Sequence, residues 1–523
     1  MSDFVFDMPG ENMMYVHLKD KNKIRHRKRW SQVMYMYYLL GYRIVKECQE
    51  RVLTALEEDK ISELATWNYD LGGRVGKSQI FDILDDEVLY RAENTFILAL
   101  DGDVDFTPKA VRLLIDRMKK NEELGAACGR IHPIGKGPMV WYQKFEYAVA
   151  HWLQKSTEHV LGCVLCSPGC FSLFRGSALM DDNIMRKYTI KPTEASHHLM
   201  YDQGEDRWLC TLLLQQGYRV DYAAASDAYT YAPEGFGEFF NQRRRWMPST
   251  IANIMDLLAD AKNTVSINNN ISWLYMIYQG ALMVSTMIGP ATVIMMISGA
   301  YLTVFKLDLL TSYAIALSPA IIYTILCFTV KAKYQIMAAE IFSALYSFIM
   351  MVVFVGCIIT AVQESPFHPS VLFLSAMVFI FLFAAMLHPW EFSCIIYGAL
   401  YFLCVPSGFL LLVIYSLCNM NVISWGTREV PKRKTKKEIE EEEKKRKEKE
   451  EKKKQGWFSQ FMPKFQLQDL RAFMDISKKE DKSANILEQM NNLERLILDS
   501  KGKSELTEVL IDKKGILTKP RRS

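Results

Sequence analysis

The sequence predicts an α/β sheet domain, then a bundle of membrane-spanning helices, then a charged helical tail. Three observations carry that prediction. Up to residue 270, short apolar runs bounded by charge or glycine alternate with helical periods. Between Ile271 and Cys418 only seven residues are Asp, Glu, Lys or Arg: Lys306, Asp308, Lys331, Lys333, Glu340, Glu364 and Glu391. Beyond residue 421 runs of Lys and Glu replace the apolar ones. The expected domains are therefore 1–270, 271–420 and 421–523. A chain of 523 residues exceeds one ordinary domain. Its formal charge of +4 gives no field that would select nucleic acid.

In the first region, "RWSQVMYMYYLLGYRI" reads as an aromatic-rich helix and "NTFILAL" as a buried strand. "PKAVRLLIDRMKKN" is a helix with Pro108 in its first turn. "GAACGRIHP" is a further strand. "GEDRWLCTLLLQQGYRV" opens as a helix, stops at Gly217 and resumes as a strand. Strand–helix alternation argues an α/β sheet, whose ligands sit at the carboxyl ends of strands.

In the second region, apolar runs of spanning length are expected at about 272–303, 310–330, 335–361, 369–388 and 394–418. The first contains Gly289-Pro290, a site for a kink. Cys327, Cys357, Cys394, Cys404 and Cys418 fall in these runs and read as small hydrophobes. "MSDFVFDMPGENMM" lacks a basic start followed by an apolar stretch. The first region is therefore expected on the cytosolic side. Five spans would put "KRKTKK" outside, against the positive-inside rule, whereas Lys331 and Lys333 obey it. In the tail, Ile486, Met490, Leu493, Leu496 and Leu498 share a helical face, giving either a pairing helix or a lone surface helix.

Five stretches carry candidate chemistry. Asp101 and Asp103 follow "NTFILAL". Alternating carboxylates there suit Mg²⁺ or Mn²⁺ holding a diphosphate, or else form an exposed acidic turn before Pro108. Asp206 of "GEDRW" lies in a first helical turn, where the dipole favours the carboxylate. It reads as a general base or as a helix-start acid paired with Arg207. Gln242, Arg245 and Trp246 of "NQRRRW" share one helix face, with a guanidinium for phosphate and an indole for a sugar ring. The same helix also fits a basic amphipathic segment lying on a membrane. Ser167, Pro168 and Gly169, between Cys163, Cys166 and Cys170, read as a tight turn near a ligand rather than a zinc site. "HLKDKNKIRHRKRW" offers a basic cluster for nucleotide phosphates or lipid headgroups, or a solvated face.

Taken in order, the DGD after a strand, the GEDRW and the QRRRW just before apolar helices resemble the processive family-2 glycosyltransferases. The wording of "KIRHRKRWSQVMYMYYLLGYR", "GCVLCSPGCFSLFRG", "YDQGEDRWLCTLLLQQGYRV", "FFNQRRRWMPSTIANIMDLL" and "SWGTRE" is similar to the chitin synthases of insects and nematodes. The likeness extends over about residues 15–430. It implies a GT-A-like α/β domain and transfer of N-acetylglucosamine from its uridine diphosphate form to a β-1,4 chain, with inversion. It implies Asp101 and Asp103 at a divalent cation and Asp206 as base to the acceptor 4-hydroxyl. Gln242 and Arg245 would meet the diphosphate or acceptor, and Trp246 the acceptor sugar. Arg27 and Arg29 would meet uridine diphosphate, and Ser167, Pro168 and Gly169 would form a mobile loop at the channel mouth. It further implies a multi-pass protein of the plasma-membrane bilayer that forms a homo-oligomer. In that family a nucleotide-binding segment and more spans precede the basic cluster, so an N-terminally incomplete chain is expected. The competing expectations are a synthase of another β-linked polymer, a non-catalytic partner of a full-length synthase, and a transporter. The transporter is disfavoured by the scarcity of ionisable groups in the apolar runs.

Overall fold

The computed structural model describes residues 3–8, 10, 12–17, 28–50, 86–363, 367 and 369–422. Arg27, "SWGTRE" and the tail helix at 486–498 lie outside them. Strands β1 (Asp3–Met8) and β2 (Asn12–His17) form an antiparallel hairpin. The helix Lys28–Met36 continues as a π-helical stretch, Tyr37–Ile44. It buries Arg29, Val33, Met36, Leu40 and Ile44, the 3.6-residue stripe of a core-facing helix.

A five-stranded sheet follows, in the order β3 (Phe96–Leu100), β6 (Phe171–Arg175), β5 (Leu124–Ile134), β7 (Arg219–Tyr231), β4 (Val104–Phe106). Only β5 and β7 run parallel; the other neighbours are antiparallel, so the sheet is mixed. Alternation on β5 explains why both faces are covered. Ala126 and Cys128 pack in a core shared with Leu209, Leu212 and Leu213, while Ala127 and Ile131 pack with Leu114 and Met118. The expected helix at 108 is present as Pro108–Lys120, capped by Thr107 Oγ1 accepting from the Ala110 N–H at 3.3 Å. The helix Glu205–Gln215 ends where Gly217 adopts φ +88, a left-handed stop that favours glycine, and β7 begins two residues later.

Among the described residues three helices are long and apolar enough to cross a membrane: Trp273–Phe305, Leu309–Thr329 and Ala332–Gln363. The expected run at 369–388 is a shorter apolar helix, Pro369–Met386. The last is a pair, Pro389–Leu403 and Ser407–Cys418, bent by 62°. Against about five expected spans, the described residues thus give three by length and composition, or four if the bent pair is one span. Pro406 supplies the break, because it lacks the N–H that would continue the first member of the pair. The first long helix starts inside the sheet domain's core, where Tyr275 and Met276 are buried.

Candidate active site

Strand pairing builds one side of the site. Leu100 pairs with Phe171, so Asp101, one residue on, stands against the "CSPGC" loop. Its N–H donates to the Cys170 carbonyl at 3.3 Å. The Ser167–Gly169 turn is held from beneath. Ser167 is fully buried, its hydroxyl donates to Ser172 Oγ at 2.7 Å, and the Phe171 N–H closes on the Pro168 carbonyl. Burial pushes the thiols of Cys163, Cys166 and Cys170 each up to about 12, so none is a ready thiolate for zinc.

Helix Glu205–Gln215 supplies the opposite side. Gly169 N–H lies 3.4 Å from Asp206 Oδ2, and the Cys166 thiol lies 3.9 Å from the same oxygen. Asp206 is partly exposed, and its other oxygen accepts from the Arg207 N–H at 2.9 Å. The expected Asp206–Arg207 contact is thus a backbone one.

The sequence reading missed Lys28, which bridges the two sides. Its Nζ lies 2.5 Å from Asp101 Oδ1, and a Cβ added at Gly169 would stand 3.3 Å from it and 3.8 Å from Asp206 Cβ. Burial works against charge on Lys28, yet Asp101, Glu205 and Asp206 more than offset it and hold its pKa above the ordinary value. Glu205 was also missed. Burial, then repulsion from Asp206, pushes its carboxyl up to about 7, against the pull of Lys28 and Arg245.

Arg29, offered as a diphosphate contact, is turned the other way. It is 1 % exposed, pairs with Asp202 at 3.2 Å and donates to the carbonyls of Tyr188 and Ile190. A helix turns about 100° per residue, so adjacent Lys28 and Arg29 cannot both face the site.

The helix Phe236–Ala259 closes the third side. It approaches the GEDRW turn so closely that a Cβ at Gly204 would meet Ser249 Cβ at 2.8 Å. That contact brings the two motifs together. Arg245 is 4 % exposed, and burial pulls its guanidinium down to about 10 while Glu205 and Asp206 oppose the fall. Gln242, three residues before Arg245, and Trp246, the residue after it, are both engaged by Arg243. Its Nη1 donates to Gln242 Oε1 at 2.7 Å, and its guanidinium lies 4.1 Å over the Trp246 ring. Arg243 is itself paired with Glu146 at 2.5 Å, and Arg244 donates to the Val422 carbonyl at 2.7 Å. With all three arginines buried, this helix is not a basic face laid on lipid.

Among the described residues no three His, Cys, Asp or Glu side chains cluster as a cation cage. The donors at the strand end nonetheless suit Mg²⁺ or Mn²⁺, which take one or two carboxylates and fill the remainder with phosphate oxygens and water. Asp101 already holds one cation, the Lys28 ammonium.

A family model described as chitin synthase matches residues 86–337. Chitin synthase chs-2 of Caenorhabditis elegans is 52 % identical over 432 residues, which cover 83 % of this chain and 24 % of that protein. A chitin synthase of Meloidogyne artiellia is 50 % identical over 422 residues, covering 81 % of this chain and 21 % of that protein. Chitin synthase chs-1 of Caenorhabditis elegans is 50 % identical over 439 residues, covering 83 % of this chain and 30 % of that protein. The chain thus spans about a quarter of the length of the curated relatives it matches.

Proposed function

Because this chain belongs to the chitin synthase family, we propose that it transfers N-acetylglucosamine from uridine diphosphate N-acetylglucosamine to the non-reducing end of a growing β-1,4-linked chitin chain. The observation that supports this reading is the meeting of Asp101, Lys28, Gly169, Asp206 and Arg245 from five separate segments. Asp206 takes the proton of the acceptor 4-hydroxyl. That oxygen then bonds to the anomeric carbon as the bond from this carbon to the diphosphate oxygen breaks. A single displacement inverts the centre and needs one base and no covalent nucleophile.

Lys28 and Arg245 attract the diphosphate that leaves, and the charges of Glu205 and Asp206 act on Arg245 as well. Asp101 and Asp103 would hold the divalent cation, which when bound neutralises charge developing on the leaving group. Arg27 stays a candidate for uridine diphosphate. Gln242 and Trp246 are the acceptor contacts. The Ser167-Pro168-Gly169 turn lies beside the base and shapes the acceptor's approach.

In this reading residues 1–270 form the cytosolic catalytic domain and 271–420 the bundle through which the polymer leaves. Residues 421–523 form a charged tail. The protein then sits in the plasma-membrane bilayer as a homo-oligomer.

The test is Asp206→Asn in the full-length protein, expressed in membranes and supplied with labelled donor. Polymer synthesis is expected to vanish while the amount of protein in the membrane stays normal. Synthesis at the wild-type rate would remove Asp206 from the role of base.

A further inference from the structure

One carboxylate of the apolar region has no part in the chemistry above. Glu391 lies in the short 3₁₀ turn Pro389–Cys394 that opens the bent helix pair. Its side chain is only 14 % exposed. Oε2 accepts from Arg130 Nη2 and from Trp152 Nε1, the latter at 2.6 Å. Oε1 lies 3.4 Å from His132 Nδ1, whose Nε2 lies 2.7 Å from Asp227 Oδ1. The His388 ring stacks on Trp152 at 5.5 Å, which fixes the turn from its other end. A carboxylate this far withdrawn from water is tolerated when its oxygens are engaged, and both of these are.

Of the partners of Glu391, Trp152 lies on the helical stretch Ala150–Lys155, and Arg130 and His132 lie on β5. The β5–β7 register shifts between Gly129 and Arg130, a bulge of the kind that re-aims the side chains beyond it. Gly129 permits the bulge, since a Cβ there would stand 2.7 Å from Phe171 Cδ1. Arg130 and His132 follow directly. Asp227 and Tyr229 of β7 continue the chain of contacts. Tyr229 stacks on His132 at 5.2 Å and pairs with Asp105 of β4, the strand that begins one residue after Asp103. The far end of the bent pair is fastened to the third side of the site. Tyr415 Oη donates to Asn241 Oδ1 at 3.0 Å, and the Val422 carbonyl accepts from Arg244. Segment 389–422 is therefore clamped to the sheet at one end and to the third side of the site at the other.

Resting on the function proposed above, we infer that Glu391 is a positioning residue that registers the bent helix pair against β5, the central strand of the sheet whose β3 and β4 flank the Asp101–Asp103 turn. The growing polymer is thereby kept aligned with the site of transfer. The aromatic contacts between Pro138–Val149 and the pair, such as Trp141 on Tyr397 and Tyr142 on Tyr401, supply adhesion without direction. The charged contact of Glu391 supplies the register.

The experiment compares wild type, Glu391→Gln, Glu391→Asp and Asp206→Asn in the full-length protein. It measures uridine diphosphate release, donor KM, and the length distribution of the polymer. Glu391→Gln is expected to shorten the median product about tenfold, a coupling of ordinary size. Donor KM should move by less than about twofold, and Glu391→Asp should recover much of the length. Wild-type product length in Glu391→Gln would overturn the inference. So would a parallel fall of release, length and folded yield in both Glu391 variants, which marks a purely structural role. Polymer made by Asp206→Asn would instead overturn the proposed function, whatever the Glu391 variants do.

Discussion

Glu205 offers a test that does not depend on knowing the substrate. Its carboxyl is moved from an ordinary 4.5 to about 7 by burial and by Asp206. Between those values the folded protein holds a proton that the unfolded chain has given up. Unfolding then releases a proton, so this group's contribution to stability falls as pH rises from 4.5 to about 7 and is level outside that window. At about 1.4 kcal/mol per pH unit the loss reaches roughly 3 kcal/mol. Glutamine keeps the shape and has no proton to lose. Glu205→Gln is therefore expected to gain melting temperature relative to wild type as pH is raised from 5 to 8. The assay is thermal unfolding of the detergent-solubilised protein, followed by tryptophan fluorescence at each pH. Taking the difference between the two proteins cancels the titrating groups that do not interact with Glu205, such as Asp181, which burial raises to about 6. A difference that stays constant from pH 5 to 8 would refute the reasoning.

Two further predictions follow from the same geometry. Asp103→Ala is expected to abolish Mn²⁺-dependent donor binding by calorimetry, and binding that still required Mn²⁺ would count against the strand-end carboxylates. Arg175→Met removes a buried guanidinium that donates to the carbonyls of Leu124, Glu93, Met118 and Asn121 and pairs with Glu93 at 3.1 Å. It is expected to cost about 3–5 kcal/mol, seen as a collapse of melting temperature and folded yield, and an unchanged melting curve would contradict it.

What could be read from the sequence followed the range of the forces involved. Pro108, Thr107 and Gly217 mark helix ends by local chemistry, and those ends stand where the sequence puts them. The stripe Val33, Met36, Leu40 and Ile44 is also local. Extended back by one turn it reaches Arg29, so the inward turn of that arginine was legible, and with it the outward turn of Lys28. Strand β6 was harder to see. Five residues ending in Arg175 look like the tail of a loop, and Arg175 is buried only because four distant carbonyls meet it. The burial of Arg243, Arg244 and Arg245 was not legible at all. Their partners are Glu146, the Val422 carbonyl and the Glu205–Asp206 pair, which sequence separation hides. The break in the last apolar run was signalled by Pro406-Ser407-Gly408, which hydropathy averages away.

The charge balance of the site links these observations. Asp101, Asp103 and Asp206 bring three negative charges, and Lys28 and Arg245 bring two positive ones. Burial, and then the charge of Asp206, keeps the proton on Glu205 until about pH 7. A nucleotide diphosphate arriving alone would add anionic charge beside Asp101 and Asp206. The two basic side chains cannot compensate it, since Lys28 is already matched to Asp101. On the function proposed above, the donor is expected to arrive with a cation of its own. The Asp103→Ala result has a second reading on this basis. If weakened binding came only from lost packing, raising pH past 7 would leave donor affinity unchanged. If it comes from charge, deprotonation of Glu205 should make the wild-type site more dependent on Mn²⁺ above pH 7 than below it.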